Sequence, residues 1–354
     1  MKEERVSASP AGLVLQCPLC AGEIALTAER CDCRGCGASF PMLLGIPDLR
    51  VPARTWISYE DDRELARRLA ARYDSSGFAD LVAEIWRERP NADPALVARR
   101  IQEILRATGE HREELSASGW IGARLESSGL RAVLDVGCGT GAFLEAALST
   151  FPVAAGVDVS LAWLVTARKR LDERGIAALL FCACVERLPF RSGGFDLTAC
   201  FDLLEHVHDR AEVAGELARV TRSGGLLVAT TPNRFSLSAE PHVGVWGVGL
   251  LPRRWMPAYV RWRRGLDFRH VSPLSLSDVA KVFAERFDCD VEAPLIPRAN
   301  LAAFSPVKRL FARLYNLFLG VSLFRAGLKP VAPFFHIVAR KRAGAGEPGT
   351  PARR

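Results

Sequence analysis

One stretch constrains the fold of this chain more than any other. It runs Ala132-Val133-Leu134-Asp135-Val136-Gly137-Cys138-Gly139-Thr140-Gly141 and continues at once into Ala142-Phe143-Leu144-Glu145-Ala146-Ala147-Leu148. A short apolar run ends in an acid, breaks into three glycines at alternate positions and passes into a helix-compatible segment. That pattern predicts a buried strand, a tight turn and a helix N-terminus, through which a backbone can approach a nucleotide-like ligand closely. A second apolar run, Val153-Ala154-Ala155-Gly156-Val157-Asp158, ends in a carboxylate 23 residues after Asp135. In a doubly wound sheet an acid at that place holds a ribose, and a carboxylate accepts from both hydroxyls. Taken alone, Asp158 could equally cap the helix beginning at Ser160-Leu161-Ala162; the glycine turn upstream favours the ribose. A dinucleotide-binding turn competes. The acid two residues before the first glycine argues against it, whereas Ala142 at its third fingerprint position does not.

The string Leu134 to Gly141 closely resembles the first motif of class I S-adenosylmethionine (SAM) dependent methyltransferases, and the resemblance continues through motifs from about residue 119 to 342. It implies an α/β domain on a seven-stranded Rossmann-like sheet. SAM is then expected at Asp135, Gly137, Cys138, Gly139, Gly141 and Asp158. The runs Leu179–Cys184, Asp196–Phe201 and Leu226–Thr231 fit alternating strands and helices, with Ser223-Gly224-Gly225 read as a turn, and Asp290–Glu292 and Phe334–Ala339 are two further expected strands. The family usually carries an acid for the adenine amine where this chain has Cys184, a weak acceptor. That contact is expected from the backbone near Val185.

At the end of the fourth strand stands Phe201-Asp202-Leu203-Leu204-Glu205-His206-Val207. It resembles the Glu-His-Val segment of the quinone-biosynthesis O-methyltransferases and their type 11 relatives. By that resemblance Asp202, Glu205 and His206 lie near the reacting groups, with Asp202 serving the cofactor as well. His206 would take a proton from an attacking hydroxyl, since an imidazole titrates near neutrality. Alternatively, the two acids would hold a divalent cation, or the segment would only organise the helix start. His270, in His270-Val271-Ser272-Pro273, is a second candidate base.

Five of the ten cysteines fall between Cys17 and Cys36. Cys17-Pro18-Leu19-Cys20 and Cys33-Arg34-Gly35-Cys36 are paired knuckles whose four thiolates suit a closed tetrahedral zinc site; Cys31 is an alternative to Cys33. Cysteines in a chain with no leader behind Met1–Arg5 point to thiols or metal before disulfides. The run Cys33-x-x-Cys36-Gly37-x-x-Phe40-Pro41, followed by Gly45-Ile46-Pro47, resembles the Trm112-like zinc ribbons that accompany methyltransferases. The organisation read from these features is a ribbon over 14–51, a helical linker over 57–118, a methyltransferase domain over 119–342 and a disordered tail over 343–354. The linker's third helix is expected to start at Asp93-Pro94.

An apolar share of 49% excludes wholesale disorder, and no run reaches the ~18 apolar residues of a membrane span. The net charge of +7 favours an anionic partner. Two inserts, 235–267 and 298–333, mix aromatics with Arg and Lys. The stretches 243–264 and 302–335, Phe304 included, suit either a peripheral membrane contact or a nucleic acid, or simply a packed lid. The expectation is a cytoplasmic SAM-dependent methyltransferase acting on a hydroxyl of a small or lipid-linked molecule, peripheral at the inner membrane face if the inserts bind lipid. An RNA base methyltransferase and a non-catalytic SAM-binding scaffold are the rivals.

Overall fold

The computed structural model describes residues 13–27, 30–51, 56–88, 94–125, 129–296, 301 and 305–343. Asp93, Phe304 and the tail from 344 onward lie outside them. The chain divides into two compact units, one comprising residues 1–200, 211–227 and 341–354, the other 201–210 and 228–340.

The first unit opens with four short strands in sequential order, β1 (Ile24–Leu26), β2 (Arg30–Cys33), β3 (Ser39–Leu43) and β4 (Ile46–Pro47). The pairs β1–β2, β2–β3 and β3–β4 are antiparallel. Leu44 and Gly45 join the last two with φ of 50° and 72°. Two positive φ values match the twist of a two-residue hairpin, and only glycine adopts one without strain. Three helices follow: α1 (Tyr59–Ala71), α2 (Phe78–Arg87) and α3 (Pro94–Leu115). Ser58 caps α1 by accepting from the Asp61 amide.

A seven-stranded sheet has the order β10-β11-β9-β8-β5-β6-β7. Its strands are β5 (Ala132–Val136), β6 (Val153–Asp158), β7 (Leu179–Cys182), β8 (Phe195–Phe201), β9 (Thr221–Pro232), β10 (Phe287–Glu292) and β11 (Phe334–Lys341). Strand β5 is buried along its whole length and runs parallel to β6 and β8, while β6 runs parallel to β7. Between them stand α4 (Ala142–Ala147), α5 (Leu161–Glu173) and α6 (Arg210–Val220). Gly156 lets α4 close onto β6, since a Cβ there would stand 2.6 Å from Leu144 Cδ1. The third strand stops at Cys182, two residues short of expectation. The fifth runs from Thr221 straight through the expected turn, with Gly224 at φ 70°. Glycine inside a strand absorbs such a local kink without breaking the ladder.

In the second unit the segment after β9 builds a small core of its own from Val245, Val248, Met256, Val260, Phe268 and Val271. It contains α7 (Met256–Arg264), which ends at Gly265 with φ 71°. Ser275 and Asp278 form a capping box on α8 (Leu276–Phe283). Between β10 and β11 lie α9 (Pro306–Leu319) and α10 (Ser322–Leu328).

Candidate active site

The glycine turn leaves β5 with three left-handed residues, Gly137 at φ 79°, Gly139 at 47° and Gly141 at 74°. The Gly137 and Cys138 amides both donate to the Val157 carbonyl, at 2.7 and 3.0 Å, which ties the turn to β6. The Gly139 amide donates to Asp158 Oδ2 at 2.9 Å. Nothing lies within 4 Å of where a Gly139 Cβ would stand, so bare backbone faces open space there. Asp158 Oδ1 accepts from the Ser160 amide at 2.8 Å. Ser160 is the N-cap of α5, its hydroxyl accepting from Trp163 N, so the helix is capped without the Asp158 carboxyl.

Burial dominates both strand-end acids. It pushes Asp158 up to about 6 against the pull of the Ser160 and Gly139 amides. It pushes Asp135 up to about 7, with the Asp158 charge adding and His111 opposing. Val185 is buried at the start of a short 3-10 turn. Before it, Cys184 Sγ lies 3.0 Å from Tyr59 Oη and 3.6 Å from the Val51 carbonyl. A tyrosine 125 residues upstream thus partners the thiol that stands where the family usually carries an acid. Nothing local in the sequence signals that pairing.

The remaining candidates fall in the second unit. Asp202 takes φ 49°, a strained value for a non-glycine, and its Oδ1 accepts from Thr230 Oγ1 at 2.8 Å. Glu205 is 1% exposed. Its Oε2 accepts from Thr231 Oγ1 at 3.0 Å, while Oε1 has no hydrogen-bond partner among the described residues and stands 3.9 Å from His242 Nε2. Burial, reinforced by the Asp202 charge, pushes Glu205 up to about 8. His206 Nδ1 lies 3.2 Å from the His270 carbonyl oxygen. Its ring meets His242 edge-on at 4.9 Å and stacks on His270 at 6.2 Å. His242 Nδ1 is 2.6 Å from Glu240 Oε1. Burial works to lower the His242 pKa, but the Glu240 hydrogen bond and the charges of Glu240, Glu205 and Asp202 raise it.

Three of the chain's six histidines therefore gather here. His242 and Glu240 escaped the sequence reading because they stand in the insert, some 35 residues from the motif they complete. The metal-ligating atoms of Glu205, His206 and His242 lie within 4.8 Å of one another. Asp202 is not in that group. The donor set, one carboxylate with an orphaned oxygen and two imidazoles, fits a divalent transition ion.

In the ribbon the Sγ atoms of Cys17, Cys20, Cys33 and Cys36 also lie within 4.8 Å of one another, with Cys17–Cys36 at 3.8 Å and Cys20–Cys33 at 3.4 Å. Tetrahedral zinc, with Zn–S of about 2.3 Å, sets its sulfurs about 3.8 Å apart, so the four residues fit it. The Gly22 amide donates to Cys20 Sγ and the Gly35 amide to Cys33 Sγ, both at 3.3 Å. Cys31 is fully buried, outside that group, and burial pushes its thiol up to about 12.

In a doubly wound α/β sheet, parallel strands whose ends present a glycine turn and a carboxylate are the arrangement that receives a nucleoside-bearing ligand. Residues 134–229 match the model of a methyltransferase domain family. The ubiquinone biosynthesis O-methyltransferase of Thiobacillus denitrificans is 34% identical over 185 residues, 49% of this chain and 79% of that protein. The Pseudomonas paraeruginosa protein of the same name is 35% identical over 189 residues, with the same coverage. Among solved structures, a geranyl diphosphate methyltransferase in complex with SAM aligns at 20% identity and TM-score 0.44, covering 74% of this chain and 96% of that one. This chain belongs to the class I SAM-dependent methyltransferases. It is a methyltransferase, and SAM is its methyl donor.

Proposed function

We propose that the enzyme methylates a hydroxyl on a small or lipid-linked acceptor of the quinol type. The acceptor oxygen attacks the SAM methyl carbon, the carbon–sulfur bond breaks, and S-adenosylhomocysteine leaves. The acceptor proton passes to His206, with His270 stacked behind it. The observation that carries this reading is the gathering of His206, His242 and Glu205, which sets an imidazole base beside the Glu240–His242 pair. The O-methyltransferase names of the relatives support it. In the alternative to a His206 base, Glu205, His206 and His242 would hold a divalent cation, and that ion would lower the pKa of the acceptor hydroxyl. Purified enzyme with SAM and a catechol carrying an isoprenoid tail should yield the methyl ether and S-adenosylhomocysteine in equal amounts. His206→Ala should lower kcat by about 100-fold or more with little change in SAM affinity. Methyl transfer to bulk RNA but to no catechol would overturn the proposal.

We further propose that Cys17, Cys20, Cys33 and Cys36 hold a structural zinc ion, and that the protein meets a membrane surface through 243–264 and 302–335. Among the described residues of α9, Val307, Leu310, Phe311, Leu314, Leu317 and Phe318 form a stripe at helical spacing, and all six are exposed. An amphipathic helix normally turns that stripe inward; this one turns it out, beside Lys308, Arg309 and Arg313. Trp246, Trp255 and Trp262 are exposed on the other insert. Exposed apolar area flanked by cations suits an anionic lipid interface. No helix among the described residues is long and apolar enough to cross a membrane.

A further inference from the structure

The residues that trail the ribbon carry charges withdrawn from water. The side chains of Arg50, Asp48 and Asp62 are 0%, 3% and 8% exposed. Such a group is costly to keep, and an apolar seam of equal volume is often at least as stable. Its hydrogen bonds lead to the cofactor turn. Arg50 grips Asp48 with Nε and Nη2, both at 2.8 Å. Its Nη1 donates to Asp62 Oδ2 at 2.6 Å and to the Val159 carbonyl at 3.1 Å. Asp62 in turn accepts from Ser160 Oγ at 2.6 Å and from the Leu161 amide at 2.8 Å. Val159, Ser160 and Leu161 are the three residues that follow Asp158, and the Ser160 amide is the one that holds Asp158 Oδ1.

We infer that Arg50 and Asp62 are positioning residues of the cofactor site, which fix the Asp158 carboxyl for the ribose hydroxyls and make the ribbon's trailing segment a working part of SAM binding. Fixing a carboxylate in advance spares the ordering cost at the moment the ligand arrives. A second contact locks the same seam, the Leu49 amide donating to the Cys182 carbonyl at the end of β7 at 2.7 Å. The inference rests on Asp158 as the ribose acceptor.

The test uses the full chain and two ligands, S-adenosylhomocysteine and its 2′-deoxy counterpart, titrated calorimetrically. Arg50→Met and Asp62→Asn should weaken the ribose ligand on the order of tenfold. They should also shrink the preference for ribose over deoxyribose, with cooperative unfolding and metal content retained. Arg50→Lys, which keeps one cation but not the fork, should fall between them and the parent. Should Arg50→Met fail to fold, Asp62→Asn and Arg50→Lys carry the comparison. Asp158→Ala sets the reference. If it abolishes the ribose preference while the Arg50 and Asp62 variants keep the parental ratio, positioning is wrong. If Asp158→Ala also keeps the ratio, the ribose role itself is wrong and the inference falls with it.

Discussion

The Asp158 carboxyl is pulled in opposite directions by burial and by two backbone amides, and burial wins, leaving it near 6. As the proposed ribose acceptor, it would take both hydroxyls in its ionised form. SAM affinity should therefore hold steady above pH 7 and fall as pH drops through about 6, whereas Asp158→Asn should bind weakly with a flat profile over that range. Stability runs the other way. A carboxyl whose folded value is raised binds its proton more tightly in the native state, so between the unfolded value near 4 and about 6 folding gains from acid, a gain lost as pH rises. Gly139→Val would set a branched side chain into the open space before the turn, at a φ that strains any L residue. Calorimetry should find no SAM binding in a chain that still unfolds cooperatively, and Asp158→Ala should cost about 1–3 kcal/mol of affinity. Unchanged affinity in both variants would refute the cofactor assignment. These positions were legible because strand, turn and strand-end acid are local in sequence. Tyr59 and Asp62 were not, for their partners Cys184 and Ser160 lie 125 and 98 residues away.

At the scale of the element, the amino-terminal sheet has four strands of two to five residues, and the zinc proposed for its cysteines would supply much of its folding energy. Elemental analysis should find one zinc per chain. Cys20→Ser should lose the ion and local order in the ribbon, visible as rapid amide exchange over 17–47, while Cys31→Ser should keep the ion because that thiol stands outside the group. Metal loss from Cys31→Ser but not from Cys33→Ser would reverse the ligand assignment. The knuckles were plain in the sequence because their spacing is the signal. Helices α1 and α2 were expected too, since their apolar stripes are local, whereas the Ser58 cap was not read from the sequence. The outward stripe of α9 was not: periodicity reports that a helix has an apolar face, never which way the tertiary structure turns it.

For the whole molecule, the exposed apolar stripe and the basic inserts predict sedimentation with vesicles. Binding should be stronger to vesicles containing anionic lipid than to neutral ones, and high salt should release part of the protein, because screening weakens the charge term and leaves the apolar one. Replacing Phe311 and Leu317 with Ser should reduce binding to both kinds of vesicle. Tight, salt-sensitive binding to structured RNA with no vesicle binding would point to the other anionic partner. The fold class was readable because the central strands β5 to β8 are local apolar runs, whereas β10, with Asp288, Asp290 and Glu292, carries little such signal. The order in which the strands finally lie depends on contacts made at long range. That order has a consequence for synthesis. Strand β11, the last described strand in the chain, lies between β10 and β9. Until the ribosome has released residue 341, both neighbours present a bare edge of unpaired amides and carbonyls, a template for pairing with the wrong chain. The nascent chain thus depends on β11 as a keystone, and a ribosome stalled before residue 334 would leave β9 and β10 open to mispairing.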